Sequence, residues 1–145
     1  MQLNLAAYSF DRYDGYGRYA RYLTRWLTYL DAAVRPVLLN EIHMLPGWMQ
    51  QLSGLDFGHL TLSCMPPYMF PALPGRQWGI TMTEGTKLPK GWAAACNERC
   101  ERIIVPCQHN ADAFKKSGVK IPIHVIHGGT CPVEFPLLNR PPRRP

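Results

Sequence analysis

No stretch of the sequence reaches the ~18 consecutive apolar residues that a membrane-spanning helix requires. The first residues, Met1 to Ala7, are too few for a secretory leader and lack its basic start, so they read as a strand. Acidic residues are scarce: 10 Asp and Glu stand against 16 Lys and Arg, a net charge of +6 with histidine neutral. That balance suits anionic ligands such as nucleotide diphosphates or phospholipid headgroups. It does not require a nucleic-acid partner, because Arg140, Arg143 and Arg144 cluster in the tail and account for half of the excess. Five cysteines are an odd number without the spacing of a small secreted domain, so they read as reduced thiols in a cytoplasmic protein. What the chain does have is 46% apolar residues with 18% charged over 145 positions, which excludes a disordered chain and allows a single buried core.

Strand and helix signals alternate along the chain. Leu3 to Tyr8 reads as a strand, Ser9 to Tyr16 as a loop, and Gly17 to Leu30 as a helix whose buried stripe is Tyr19, Leu23, Trp26, Leu27 and Leu30. Val34 to Leu39 is a second strand followed by Glu41, and Pro46 to Met49 begins a short helix or loop. Leu60 to Ser63 is a third strand. Met65 to Gly75, with four prolines around Tyr68, Met69 and Phe70, is expected to be a stiff surface loop with exposed apolar side chains. It could bound an acceptor pocket or touch a membrane surface. Gln77 to Met82 is a strand, Thr83 to Leu88 a loop, and Pro89 the opening of a helix carrying Trp92, Ala93 and Ala94. Ile103 to Pro106, a helix from Asn110 to Ser117 closed by Gly118, and Ile121 to Ile126 complete the pattern. Such alternation predicts a doubly wound, mainly parallel Rossmann-like sheet with helices on both faces.

In open sheets of this kind ligands bind outside the carboxyl ends of the strands. Glu84 on the loop after Met82 is therefore the first candidate for chemistry, with the hydroxyls of Thr83 and Thr86 beside it. The same carboxylate could merely complement the dipole of the following helix. Gly15 and Gly17 with Ala20 fit a G-x-G-x-x-A dinucleotide pattern, and Glu41 could bind a ribose hydroxyl. Against a nicotinamide oxidoreductase, that fingerprint starts directly at a strand end, whereas several residues separate Tyr8 from Gly15. In either case the glycines permit close approach of a phosphate, and Arg18 lies in the first helical turn, where the dipole favours an anion. Cys96, Cys100, Cys107 and His109 match no standard zinc spacing, and a Cys107–His109 nucleophilic pair would need a particular loop to meet. His43, His59 and His124 have no partner visible in sequence, and His124 has the phase of an outward strand residue.

Four blocks in order, DGYGRYARYLTRWL, TMTEGTKLPKGW, RIIVPCQHNADAFKKSGV and IPIHVIHGGTCPVEFP, resemble the N-terminal domain of family-four retaining glycosyltransferases of the GT-B architecture. Asn40 to Gly75 matches least. The resemblance implies a transferase domain over residues 1–136 and an interdomain linker over 137–145, with a donor-binding C-terminal domain as the missing partner. It implies a nucleotide-sugar as donor substrate, no further cofactor, no metal and a glycan or lipid-linked acceptor. Gly15, Tyr16, Gly17 and Arg18 would face the donor diphosphate, and Glu84 the acceptor. Thr83, Thr86, His109, Asn110, His127 and Gly128 would line the cleft. The family has Pro-Ser where Pro106-Cys107 stands here, and an acid where Thr130 stands. Other classes remain open, namely the oxidoreductase domain and a non-catalytic carbohydrate- or protein-binding module. The expected location is cytoplasmic, with contact at a membrane surface.

Overall fold

The computed structural model describes residues 1–10, 13–38 and 56–129. The expectations for Glu41, His43, the Pro46 segment, Thr130 and the 137–145 linker lie outside these residues. In chain order the elements are β1 (Gln2–Ala7), α1 (Gly15–Tyr29), β2 (Ala33–Leu38), β3 (Leu60–Cys64) and a 3-10 turn (Pro67–Met69). There follow β4 (Gln77–Ile80), α2 (Trp92–Arg99), β5 (Arg102–Val105), α3 (Gln108–Lys116) and β6 (Ile123–Val125).

The strands form one sheet in the order β2-β1-β3-β4-β5-β6, and every pairing is parallel. A parallel sheet must be covered on both faces. Leu3, Leu5 and Ala7 of β1 face one core with Val34, Leu62 and Ile80, onto which α1 lays Ala20, Tyr19, Leu23 and Leu27. Ala6 faces the opposite core with Ile103, Val105 and Phe70, where α2 contributes Cys96 and α3 contributes Ala111 and Phe114. This is the expected Rossmann-like α/β fold. The strand order reverses between β1 and β3, which puts the switch-point crevice outside the carboxyl ends of those two strands.

Several boundaries differ from the sequence reading, each for a local reason. α1 begins at Gly15 rather than Gly17, because the Asp14 carboxylate caps it by accepting the Gly17 N–H at 2.9 Å. α2 begins at Trp92, not Pro89: Gly91 is the residue before it and takes φ +86°, a left-handed conformation that suits glycine and breaks any continuation from Pro89. α3 ends with Gly118 at φ +93°, the expected glycine stop.

The proline-rich loop is not a surface loop with exposed apolar side chains. Met65 and Phe70 are fully buried, and of its large side chains only Tyr68 stands out, because the carbonyls of Pro66 and Pro67 accept from Met69 and Phe70. Proline lacks only the N–H, so it serves such a turn as an acceptor at no cost. Arg99 of α2 donates to the Phe70 carbonyl and holds the segment against the helix. The predicted stripe of α1 also needs correction. Its buried positions are Gly17, Ala20 and Thr24, whereas Trp26 and Leu30 are 43% and 72% exposed.

Candidate functional site

The carboxyl edge of the sheet is built by three side chains that bridge distant segments. Tyr16, in the first turn of α1, accepts the Met82 N–H at 3.1 Å and lies 3.1 Å from Thr81 Oγ1, so the start of α1 is tied to the end of β4. Burial pushes its phenol above the usual tyrosine range. Asn110, buried on α3, accepts the Thr83 N–H at 2.6 Å and donates to the Thr83 carbonyl at 3.0 Å. It therefore grips one backbone unit of the loop that carries Glu84. Ser117 completes the frame by accepting the Leu88 N–H at 2.8 Å.

Asp14 sits where the sequence reading expected an anion. Burial by itself would raise its carboxyl, but hydrogen bonds from Ser9, the Gly17 N–H, the Tyr8 hydroxyl and the Tyr16 N–H outweigh it and hold the group below the usual aspartate range. Tyr8 donates to the same Asp14 oxygen at 2.8 Å, and burial followed by that carboxylate pushes the Tyr8 phenol upward. The pair thus has one fixed proton, on Tyr8. The N–H groups of Tyr16 and Gly17 already have their acceptor, so the first turn offers a diphosphate the Arg18 cation more than a backbone cradle. Gly15 and Gly17 are helical here rather than part of a strand-to-helix turn, and a Cβ on Gly15 would meet nothing within 4 Å. The dinucleotide fingerprint instead puts its first glycine in the strand-to-helix turn itself.

Four of the sequence candidates converge. Gly15 and Arg18 of α1 line a cavity of about 740 Å³ together with His127 and Gly128, which follow β6. The rest of its wall is largely apolar and includes Tyr22, Trp26 and Leu30 from α1 and Ile126 from the segment after β6. Glu84, Thr83 and Thr86 do not line it. Glu84 and Thr86 are exposed on the loop after β4, and Thr83 Oγ1 accepts the Gly85 N–H at 3.2 Å. His109 is exposed at the start of α3, while Asn110 is a positioning residue for the loop rather than an open cleft group.

Among the described residues no group of three or more His, Cys, Asp or Glu side chains is arranged to hold a metal ion. Cys96 and Cys100 are core residues, their thiols pushed up to about 12 and about 11 by burial. His124 is exposed as its strand phase predicts, with its ring 3.1 Å from the Arg102 guanidinium.

The sequence reading missed Asp14 and the cavity's apolar wall. An aspartate just before the first helical residues is a capping signal and would have found the first. No local signal marks Trp26 and Leu30 as exposed, since an apolar residue in phase with a helix stripe reads as buried. No helix among the described residues is long and apolar enough to cross a membrane. No family model, curated protein or solved structure matches the chain.

Proposed function

We propose that residues 1–136 are the acceptor-side half of a glycosyltransferase that moves a sugar from a nucleotide-sugar donor to a glycan or lipid-linked acceptor. In this reading 137–145 lead into a donor-binding domain, and the reaction takes place between the two halves in the cytoplasm at a membrane surface. The observation that carries it is the convergence of Gly15 and Arg18 with His127 and Gly128 on one cavity that runs along α1. These residues come from the first and last of the four resembling blocks.

Glu84, exposed on the adjoining loop and held in place through Asn110 and Thr83, is the group that would bind or deprotonate an acceptor hydroxyl. The oxidoreductase alternative fits less well, because Asp14 already places a carboxylate on the N–H groups that a dinucleotide pyrophosphate would need.

Positioning two substrates supplies ~7–11 kcal/mol of barrier lowering that one half lacks. The chain alone should therefore not transfer sugar. The test is a panel of nucleotide-sugars and acceptors offered to the chain alone and to the same chain joined through its 137–145 segment to a donor-binding domain. Transfer by the two-domain protein only, reduced by Glu84→Gln, is expected. Tight NAD binding by the chain with no transfer in either form would move the assignment to the oxidoreductase class.

A further inference from the structure

The cavity beside α1 has a chemistry that a nucleotide does not match. Along α1 the wall runs from Arg18 to Leu30, about 18 Å at 1.5 Å per residue. The charged side chain of the lining stands at one end, where the Arg18 guanidinium lies 5.7 Å from the centre of the Tyr22 ring. Beyond that end α1 contributes Leu23, Trp26, Leu27 and Leu30, and Ile126 joins the lining from the segment after β6. Trp26, Leu30 and Ile126 are 43%, 72% and 52% exposed, which is apolar surface held against water.

A nucleobase would need donors and acceptors in the plane of its ring, and this strip offers almost none. A flexible hydrocarbon chain needs only length and apolar contact. The volume of about 740 Å³ lies within the range of small-molecule sites, and a largely apolar wall with a few polar groups at one place is their usual composition.

We infer that this cavity is a binding site for a single-chain amphiphile with a phosphate head, its alkyl chain lying along Leu23 to Leu30 and its phosphate at Arg18. Charge complementarity selects the head, and the exposed strip selects the tail. Tyr16 joins the same end of α1 to Met82, so the head lies towards the loop that carries Glu84. Calling the amphiphile the lipid-linked acceptor rests on the function proposed above; the binding itself does not.

Isothermal titration calorimetry with dodecyl phosphate, kept below its micelle concentration, tests the site on the full chain. One-to-one binding is expected, weakening as the chain is shortened towards octyl phosphate by up to about fourfold per methylene, the factor that about 0.8 kcal/mol per buried methylene gives. Leu30→Glu and Trp26→Glu change exposed positions and should weaken binding by about tenfold or more without altering the circular dichroism spectrum. Arg18→Gln should weaken dodecyl phosphate more than dodecanol.

Inorganic phosphate binding as tightly as dodecyl phosphate would overturn the inference, as would an unchanged affinity along the chain-length series, which needs no variant to fold. Binding of ADP or UDP in place of the alkyl phosphate would return the cavity to a nucleotide. A dimer that Leu30→Glu dissolves, with no alkyl phosphate bound, would give the face to a second copy of the chain. Alkyl phosphate binding by a chain whose two-domain form transfers no sugar would retain the site and remove only the acceptor role.

Discussion

Asn110→Ala is the sharpest perturbation of the loop that carries Glu84. The side chain is 5% exposed and makes two hydrogen bonds to a single residue, from Thr83 N–H at 2.6 Å and to Thr83 C=O at 3.0 Å, with a third contact to Cys107 Sγ at 3.4 Å. Two such bonds contribute about 1 kcal/mol each, net of what water would supply. Thr83 is only half-buried, so its freed groups reach solvent in part and the full penalty for orphaned groups does not apply. The expected loss is about 2–3 kcal/mol, or a fall of roughly 30- to 150-fold in the folding equilibrium constant.

Urea unfolding should show this as a lower midpoint with an unchanged slope, and native-state hydrogen exchange should show faster exchange at the Thr83 amide. Asn110→Asp separates the two bonds. It keeps an acceptor for the N–H but sets a carboxylate against the Thr83 carbonyl, which raises its folded-state pKa. Its destabilisation should be largest at neutral pH and shrink as the pH falls through that raised value. A loss below about 0.5 kcal/mol with unchanged Thr83 exchange would show that Asn110 does not hold the loop.

Asp14→Ala should cost about 1–2 kcal/mol at pH 7 through the lost cap. Because the folded-state carboxyl lies below its unfolded value of about 3.9, the cost should be constant well above that value and disappear as pH falls through the lower folded value, as followed by thermal unfolding across pH. Gly79→Ala should destabilise by about 1–3 kcal/mol or more, since the new Cβ would lie 2.5 Å from Phe70 Cζ and 2.8 Å from Ile103 Cδ1; a native urea midpoint would mean that the Phe70 ring can withdraw. Burial pushes the thiols of Cys64 and Cys96 to about 12 and that of Cys100 to about 11, so mass spectrometry after brief iodoacetamide treatment at pH 8 should find Cys107 labelled ahead of all three.

Much of the fold was legible in the sequence because its causes are local. Apolar runs between turn residues mark β1, β3 and β5, and Gly118 ends α3 because its φ of +93° suits no other residue so well. Alternation of strand and helix then restricts the chain to a parallel sheet covered on both faces. Glu84 could be placed past the carboxyl end of β4 on the same grounds, and Asp14 carries a capping signal of the same local kind.

Tertiary structure decided the rest, through contacts that leave no trace in local pattern. The pairing of β1 with both β2 and β3 locates the switch point, and strand phase alone is silent on which strands are neighbours. Asn110 looks like any polar residue near a helix start until Thr83 is brought against it. Trp26 and Leu30 share the helical phase of Leu23 and Leu27, yet only Leu23 and Leu27 pack against the core on that face. A periodic stripe records only which side of a helix is apolar. How much of that side is buried depends on the surface it meets, and here the uncovered part, closed by Ile126 to Gly129 from the far end of the sheet, became a cavity.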